Sequence, residues 1–255
     1  MDKTGHKPGI HRRAQRALAR QLNYQEQKAS RMRGREAKAI SAMIESSRQA
    51  RSFLQEFRPI DEHARVLEVG SGAHGLIFFF GARNGVGVDP LAHAYVSLFP
   101  AWQRRVATIA AFGESLPFAD QSFDLVLCDN VVDHAESPAG IVTEIVRVLA
   151  PGGLLYFTVN VHHPIYALAS RVHAAWHRLG INYEVAPFAD HTVHLTLGKA
   201  KQMFAQQPLQ FLDEASDVRA AKALARRRAL RHVRDRIKRL FFKNALYRLV
   251  AIRRE

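Results

Sequence analysis

The sequence predicts an α/β protein built on a doubly wound, mainly parallel sheet with helices on both faces. Three observations carry this. Short, continuous apolar runs, RVLEVG (65–70), GVGVD (85–89), FDLVLCD (123–129) and GGLLYFTVN (152–160), alternate with segments of helical period, as in parallel sheets buried on both faces. The first run breaks into a glycine-rich turn, GSGAHG, beyond a strand end, where open α/β sheets bind ligands. Finally, 255 residues at 47% hydrophobic content suffice for one substantial core.

The elements follow in order. Residues 11–35 read as a helix with a thin face, Ala14, Ala17, Leu18, Gln21 and Leu22, broken at Gly34. A firmer amphipathic helix has Ile40, Met43, Ile44, Ala50, Leu54 and Phe57 at helical spacing. It ends at Arg58-Pro59, because a residue before proline avoids the helical region. Residues 1–60 are thus expected to be a basic helical N-terminal extension, and 61–255 the main domain. Helices are expected at about 90–104 and 137–149. The C-terminal part reads as a helix (197–206), a strand (209–212), a long basic helix (217–241) and a last strand, LYRLVAIR (246–253). Right-handed crossovers leave few windings for such a chain.

Charge is unevenly distributed. The net +14 comes from residues 1–60, with 14 Lys/Arg against 5 Asp/Glu, and residues 217–255, with 14 against 3. The middle is mildly acidic, 9 against 15. In the long basic helix Val218, Ala221, Ala225, Leu230, Val233, Ile237, Leu240 and Phe241 form an apolar stripe crowded by arginines. Such arms read as a solvated face, a surface for anionic membrane, or one for nucleic acid. A single cysteine, Cys128, excludes an internal disulfide. No apolar run is long enough to span a bilayer, and the first thirty residues lack a signal-peptide core. A cytoplasmic location is the expectation.

Gly70, Gly72 and Gly75 allow a tight turn whose N–H groups approach a ligand. Asp89 ends the second strand 17 residues after Gly72, where a carboxylate can accept both hydroxyls of a ribose. The pair suits any adenosine cofactor, nicotinamide dinucleotides included.

Four stretches in register decide further: LEVGSGAHG, GVGVD, GESLPFADQSFDLVLCDNVVDHAESP and EIVRVLAPGGLLYF. Together they resemble class I S-adenosylmethionine-dependent methyltransferases with a type 11-like domain, strongly over about 61–160 and more loosely to the end. The resemblance implies a Rossmann-like, seven-stranded sheet with an antiparallel last strand, and S-adenosyl-L-methionine as cofactor. It implies that Glu68 helps hold the methionine part, that Gly70, Ser71 and Gly72 pass beneath it, and that Asp89 binds the ribose. Pro90 and Leu91 would flank the adenine, and Gly113 and Glu114 would edge it. Phe112 stands where the family often has an aspartate. Asp129 and Asn130 would face the methyl-transfer site, and Asp133-His134 occupies a place where Glu-His is common.

Within that frame the segment 160–196 is expected to cover the substrate. His162, His163, His191 and His134 are the candidate general bases, and His194 a further binding candidate. Tyr166, Trp176, His177 and Tyr183 read as lid packing or substrate lining. Asp190, His191 and His194 offer metal-type ligands, but the fold needs no metal. The expected activity is O-methylation of a small molecule or a glycan or lipid precursor. An RNA methyltransferase clamping with the basic arms and a non-catalytic binding subunit are the other readings.

Overall fold

A computed structural model describes residues 8–166, 195–227, 241, 242 and 244–255, without the side chains of 8–16 and His134. Two helices, α1 (Pro8–Met32) and α2 (Glu36–Gln55), precede β1 (Arg65–Val69) and β2 (Asn84–Val88). Next come α3 (Ala92–Leu98), α4 (Pro100–Gln103), β3 (Ala107–Ile109), β4 (Phe123–Asp129), α5 (Pro138–Val148) and β5 (Leu149–Val161). After the undescribed 167–194 come α6 (Leu197–Gln202), β6 (Leu209–Ser216), α7 (Val218–Arg226) and β7 (Ala245–Arg253). The seven strands form one sheet in the order β3-β2-β1-β4-β5-β7-β6. β1 to β5 are parallel, and β7 runs antiparallel between β5 and β6. This is the doubly wound, seven-stranded architecture expected, with its N-terminal helices.

Alternation along each strand divides the core between the two faces. Leu67, Val126, Cys128, Leu155 and Phe157 face α5 and α6, with Ile141, Ile145, Ala200 and Phe204. Val66, Leu125, Leu127, Leu154 and Val250 face the other way, onto Leu54, Phe78, Phe99 and Trp102.

The β1-to-β2 connection departs from a helical crossover. It holds 14 residues and only one 3-10 turn, Leu76–Phe79. The layer that a crossover helix would fill is completed by α2, whose buried side is Met43, Ser47, Ala50 and Leu54. Ser47 Oγ donates to the Leu76 carbonyl (2.8 Å), and Arg51 donates to the carbonyls of Phe80, Gly81 and Ile60 (2.7–3.0 Å). A polar residue at an apolar-stripe position, as Ser47 is, marks such a backbone contact. Ile44 points outward instead.

Two further differences have local causes. The helix expected over 90–104 is split at Phe99, because Pro100 forces the preceding residue out of the helical region (φ −132°, ψ 55°). β3 escapes a sequence reading because three residues carry no measurable period. The basic helix is described only over Val218–Arg226, and 228–240 lie outside the described residues. Among the described residues no helix is long and apolar enough to cross a membrane.

The packing of α2 is directly testable. Leu54→Ala removes a fully buried side chain and should cost about 2–5 kcal/mol in urea unfolding of the whole chain. A loss under about 0.5 kcal/mol, the range of a surface change, would make α2 an appendage.

Candidate functional site

The site lies at the carboxyl ends of β1, β2 and β4. The backbone turns sharply after β1 because Gly70 and Gly72 adopt left-handed angles (φ +72° and +51°). A Cβ on Gly70 would come within 2.4 Å of the Val131 methyls, whereas one on Gly72 would meet nothing closer than 3.8 Å. The turn is therefore packed from behind at Gly70 and open at Gly72. Gly70 and Ser71 N–H both donate to the Val88 carbonyl (2.7 and 3.0 Å), joining the turn to the end of β2.

Two carboxylates fix this loop. Glu68 is buried and accepts the N–H groups of Leu76 (3.0 Å) and Ile77 (2.9 Å), capping the 3-10 turn. Gly75 makes room for it, since a Cβ there would lie 2.3 Å from Glu68 Oε2. Asp89 accepts from Gly72 N–H (3.1 Å) through Oδ2 and from Leu91 N–H (2.8 Å) through Oδ1. A carboxylate has about four acceptor positions, so Asp89 keeps capacity for a ligand. Pro90 follows it at the entry to α3.

The third strand end, at β4, is tied differently. Asp129 accepts from Thr158 Oγ1 and is exposed. Asn130 takes a left-handed conformation (φ 56°), which asparagine tolerates, and accepts from Asn160 N–H (2.9 Å). Burial pushes the Glu68 carboxyl up to about 8, and the charges of Asp129 and Asp89 add to the effect against its two amide bonds. Burial also raises Asp89, opposed by the Leu91 and Gly72 amides. The strand ends thus gather three carboxyl groups, Glu68 buried and Asp129 exposed, and a nearby cation would favour their charged forms.

Several expected residues have local tasks. Gly113 packs its backbone against Ile141 and Val69. Glu114 accepts from the N–H groups of Glu136 (3.0 Å) and Ser137 (3.2 Å), at the entry to α5. The Phe112 ring is 51% exposed and is free to contact a ligand. Asp133 is fully buried, and His134 ends a 3-10 turn, Val132–His134.

Beyond β5, His162 is buried and its backbone N–H donates to the Leu195 carbonyl (2.7 Å). The His163 ring packs edge-on to Phe241 and Phe242. Burial, assisted by the Lys222 charge, holds its pKa below the usual histidine value. Its Nδ1 accepts from Ile165 N–H (3.3 Å), which assigns the proton of the neutral ring to Nε2. Tyr166 stacks edge-on to His162. Asp190, His191, His194, Trp176, His177 and Tyr183 lie outside the described residues. Among the described residues no group of His, Cys, Asp and Glu is arranged to hold a metal ion.

Sequence reasoning missed the supports under the turn. Trp102 Nε1 donates to the Ala73 carbonyl (2.7 Å), and Gln103 Nε2 donates to Gly72 (2.9 Å) and Ala73 (3.2 Å). His74 packs against both Phe99 and Trp102, which stack on each other, and burial lowers its pKa to about 4. Pro100 at the start of α4 was the available signal, because it sets the short helix that carries Trp102 and Gln103.

Comparison with known proteins follows this geometry. The family model described as a methyltransferase domain matches residues 67–157. A methyltransferase of Mycobacterium sp. (strain JLS) is 40% identical over 99 residues, 38% of this chain and 38% of that protein. A thiol S-methyltransferase of Rattus norvegicus is 29% identical over 135 residues, 50% of this chain and 55% of that protein. The chain thus spans about two fifths to just over half the length of these relatives. Among solved structures, the YcgJ protein of Bacillus subtilis matches with a TM-score of 0.56 at 18% identity, over 82% of this chain and 99% of that one. The geranyl diphosphate C-methyltransferase of Streptomyces coelicolor A3(2), solved with Mg2+, geranyl diphosphate and S-adenosyl-L-homocysteine, matches with a TM-score of 0.53 at 14% identity, over 80% and 77%. Residues 67–157 are a methyltransferase domain, and the fold around them is similar to that of these solved structures.

The raised Glu68 carboxyl has a consequence for stability. A carboxyl that binds its proton more tightly when folded stabilises fully below its unfolded pKa, near 4.5, and loses that contribution as pH rises to about 8. The lowered His74 acts in the opposite sense, but its effect is complete above 6.5. Unfolding free energy should therefore fall between pH 6.5 and 8, and Glu68→Gln should flatten that slope. An unchanged slope in the variant would remove the assignment.

Proposed function

We propose that this chain transfers a methyl group from S-adenosylmethionine to a small-molecule acceptor. One observation carries the reading: a glycine turn open at Gly72 is bonded directly to Asp89, with Glu68 and Asp129 at the neighbouring strand ends. The spare acceptor positions of Asp89 fit the paired hydroxyls of a ribose. The room at Gly72 fits a chain passing over the turn, and the acidic field fits a sulfonium. When bound, the cofactor supplies a methyl group activated by positively charged sulfur.

The residues then divide the work. Gly70, Ser71 and Gly72 support the methionine part, and Glu68 holds the loop that forms this floor. Asp89 orients the ribose, while Pro90, Leu91, Gly113 and the exposed Phe112 border the adenine. Glu114 shapes that border through the amides before α5. Asp129 and Asn130 flank the transfer point, where alignment and exclusion of water lower the barrier. The matched domain and the sheet order support this assignment of roles.

The acceptor of the first reading is an oxygen of a small molecule or a glycan or lipid precursor, with His162, directly after β5, as the base. His134 and His191 are further candidates for that role. A thiol acceptor is the second reading, favoured by two observations. His163 offers Nε2–H, a donor, where a hydroxyl would need a base. The rat relative is a thiol S-methyltransferase. A thiol ionises near pH 8.5 and needs less help from the protein.

Calorimetry and an acceptor screen with labelled cofactor test these assignments. Asp89→Ala should weaken S-adenosylmethionine binding by about 2–3 kcal/mol, as for a lost charge-assisted bond. His162→Ala should leave binding intact and lower turnover only with hydroxyl acceptors. Unchanged affinity in the Asp89 variant would overturn the cofactor site.

A further inference from the structure

The basic C-terminal part contains a surface that the methyl-transfer site does not use. β6 and β5 end at the same edge of the sheet, since Ser216 pairs with Tyr247 and Asn160 with Leu246 on β7. This is the carboxyl edge, beside His162 and His163. α7 starts here and is anchored: Asp217 N–H donates to the Leu246 carbonyl (3.1 Å), and Leu246 N–H donates to the Asp217 carboxylate. Val218, Ala221 and Ala225 pack against the core. Arg219, Lys222, Arg226 and Arg227 are exposed on the other side, and Leu224 stands 73% exposed among them. Ile165 and Leu246, each 40% exposed, add apolar surface at the same edge. No acidic residue occurs from 218 to 234 to neutralise these cations.

We propose that the outward face of α7 and the adjoining Ile165–Leu246 rim dock the protein on an anionic membrane surface, with the carboxyl edge of the sheet turned toward the lipid. The inference rests on the methyl-transfer reading and narrows its acceptor to an amphiphile held in that membrane. The cations supply attraction to acidic headgroups, and Leu224 supplies the apolar contact at the boundary between headgroups and acyl chains. Lys222 joins the two regions, because its charge reaches His163. Single-stranded nucleic acid is the less suitable partner, because its grooves combine cations with stacking aromatics. The outward face of α7 offers arginine, lysine, alanine and leucine.

Vesicle flotation of the full chain at low salt tests this. Vesicles of phosphatidylcholine with roughly 30 mol% phosphatidylglycerol should carry the protein, and phosphatidylcholine alone should not. Leu224→Asp and Arg226→Glu should each lower the bound fraction about tenfold. Both changes lie on the surface, so Tm and S-adenosylmethionine affinity should stay at their original values. That affinity is read separately, so loss of flotation and loss of the cofactor reading cannot be confused. Absence of flotation with anionic vesicles, or flotation of both variants at the level of the unaltered chain, would overturn the proposal. So would binding of a single-stranded oligoribonucleotide that Arg226→Glu weakens and Leu224→Asp leaves intact.

Discussion

The placement of the Glu68 carboxylate governs the rest of the site. It lies at the end of a central strand, out of water, and holds the amides of Leu76 and Ile77. That pair of bonds lets a 14-residue connection without a full helix cross from β1 to β2. The short crossover leaves one face of the sheet partly uncovered, and α2 covers it with Met43, Ala50 and Leu54. An N-terminal segment that reads as an extension in the sequence is therefore packed into the core. The same carboxylate is electrostatically costly, since burial and its neighbours Asp129 and Asp89 push its pKa to about 8. A ligand bearing positive charge would relieve that cost.

Support for the turn comes from both sides. Beneath it, Trp102 and Gln103 hold the carbonyls of Gly72 and Ala73, and Val131 packs against Gly70. At its open side Asp89 binds Gly72 N–H. Bonds within the protein thus hold the turn in this shape. Such preorganisation favours binding, because less conformational freedom is lost when the complex forms.

Much of this was legible in the sequence where a period or a spacing recorded it. Parallel strands announced themselves as apolar runs, and Asp89 by its distance from Gly72. The final strand was visible as LYRLVAIR. Other parts left no such record. Trp102 and Gln103 act on a loop some thirty residues away, a relation that no local pattern encodes. β3 is too short to have a period. Glu68 and Glu114 stood out in the sequence as candidate site residues, but their bonds to backbone amides depend on where loops return. The role of Ser47 needed the partner carbonyl of Leu76 to be placed. The histidines remain the least legible group, because a base is defined by its tautomer and its distance from an acceptor.

The central claim is that the carboxyl groups at three strand ends prepare the site for a cationic cofactor, whose charge favours their ionised forms. At pH 7 Glu68 is largely protonated in the free protein, and a nearby cation lowers its pKa. Calorimetry of S-adenosylmethionine binding in buffers of different ionisation enthalpy measures the protons exchanged. The account predicts release of roughly half a proton or more per site at pH 7. S-adenosylhomocysteine, neutral at sulfur, should release less, and the Glu68→Gln variant almost none. Binding without buffer dependence, or equal release with both ligands, would contradict it.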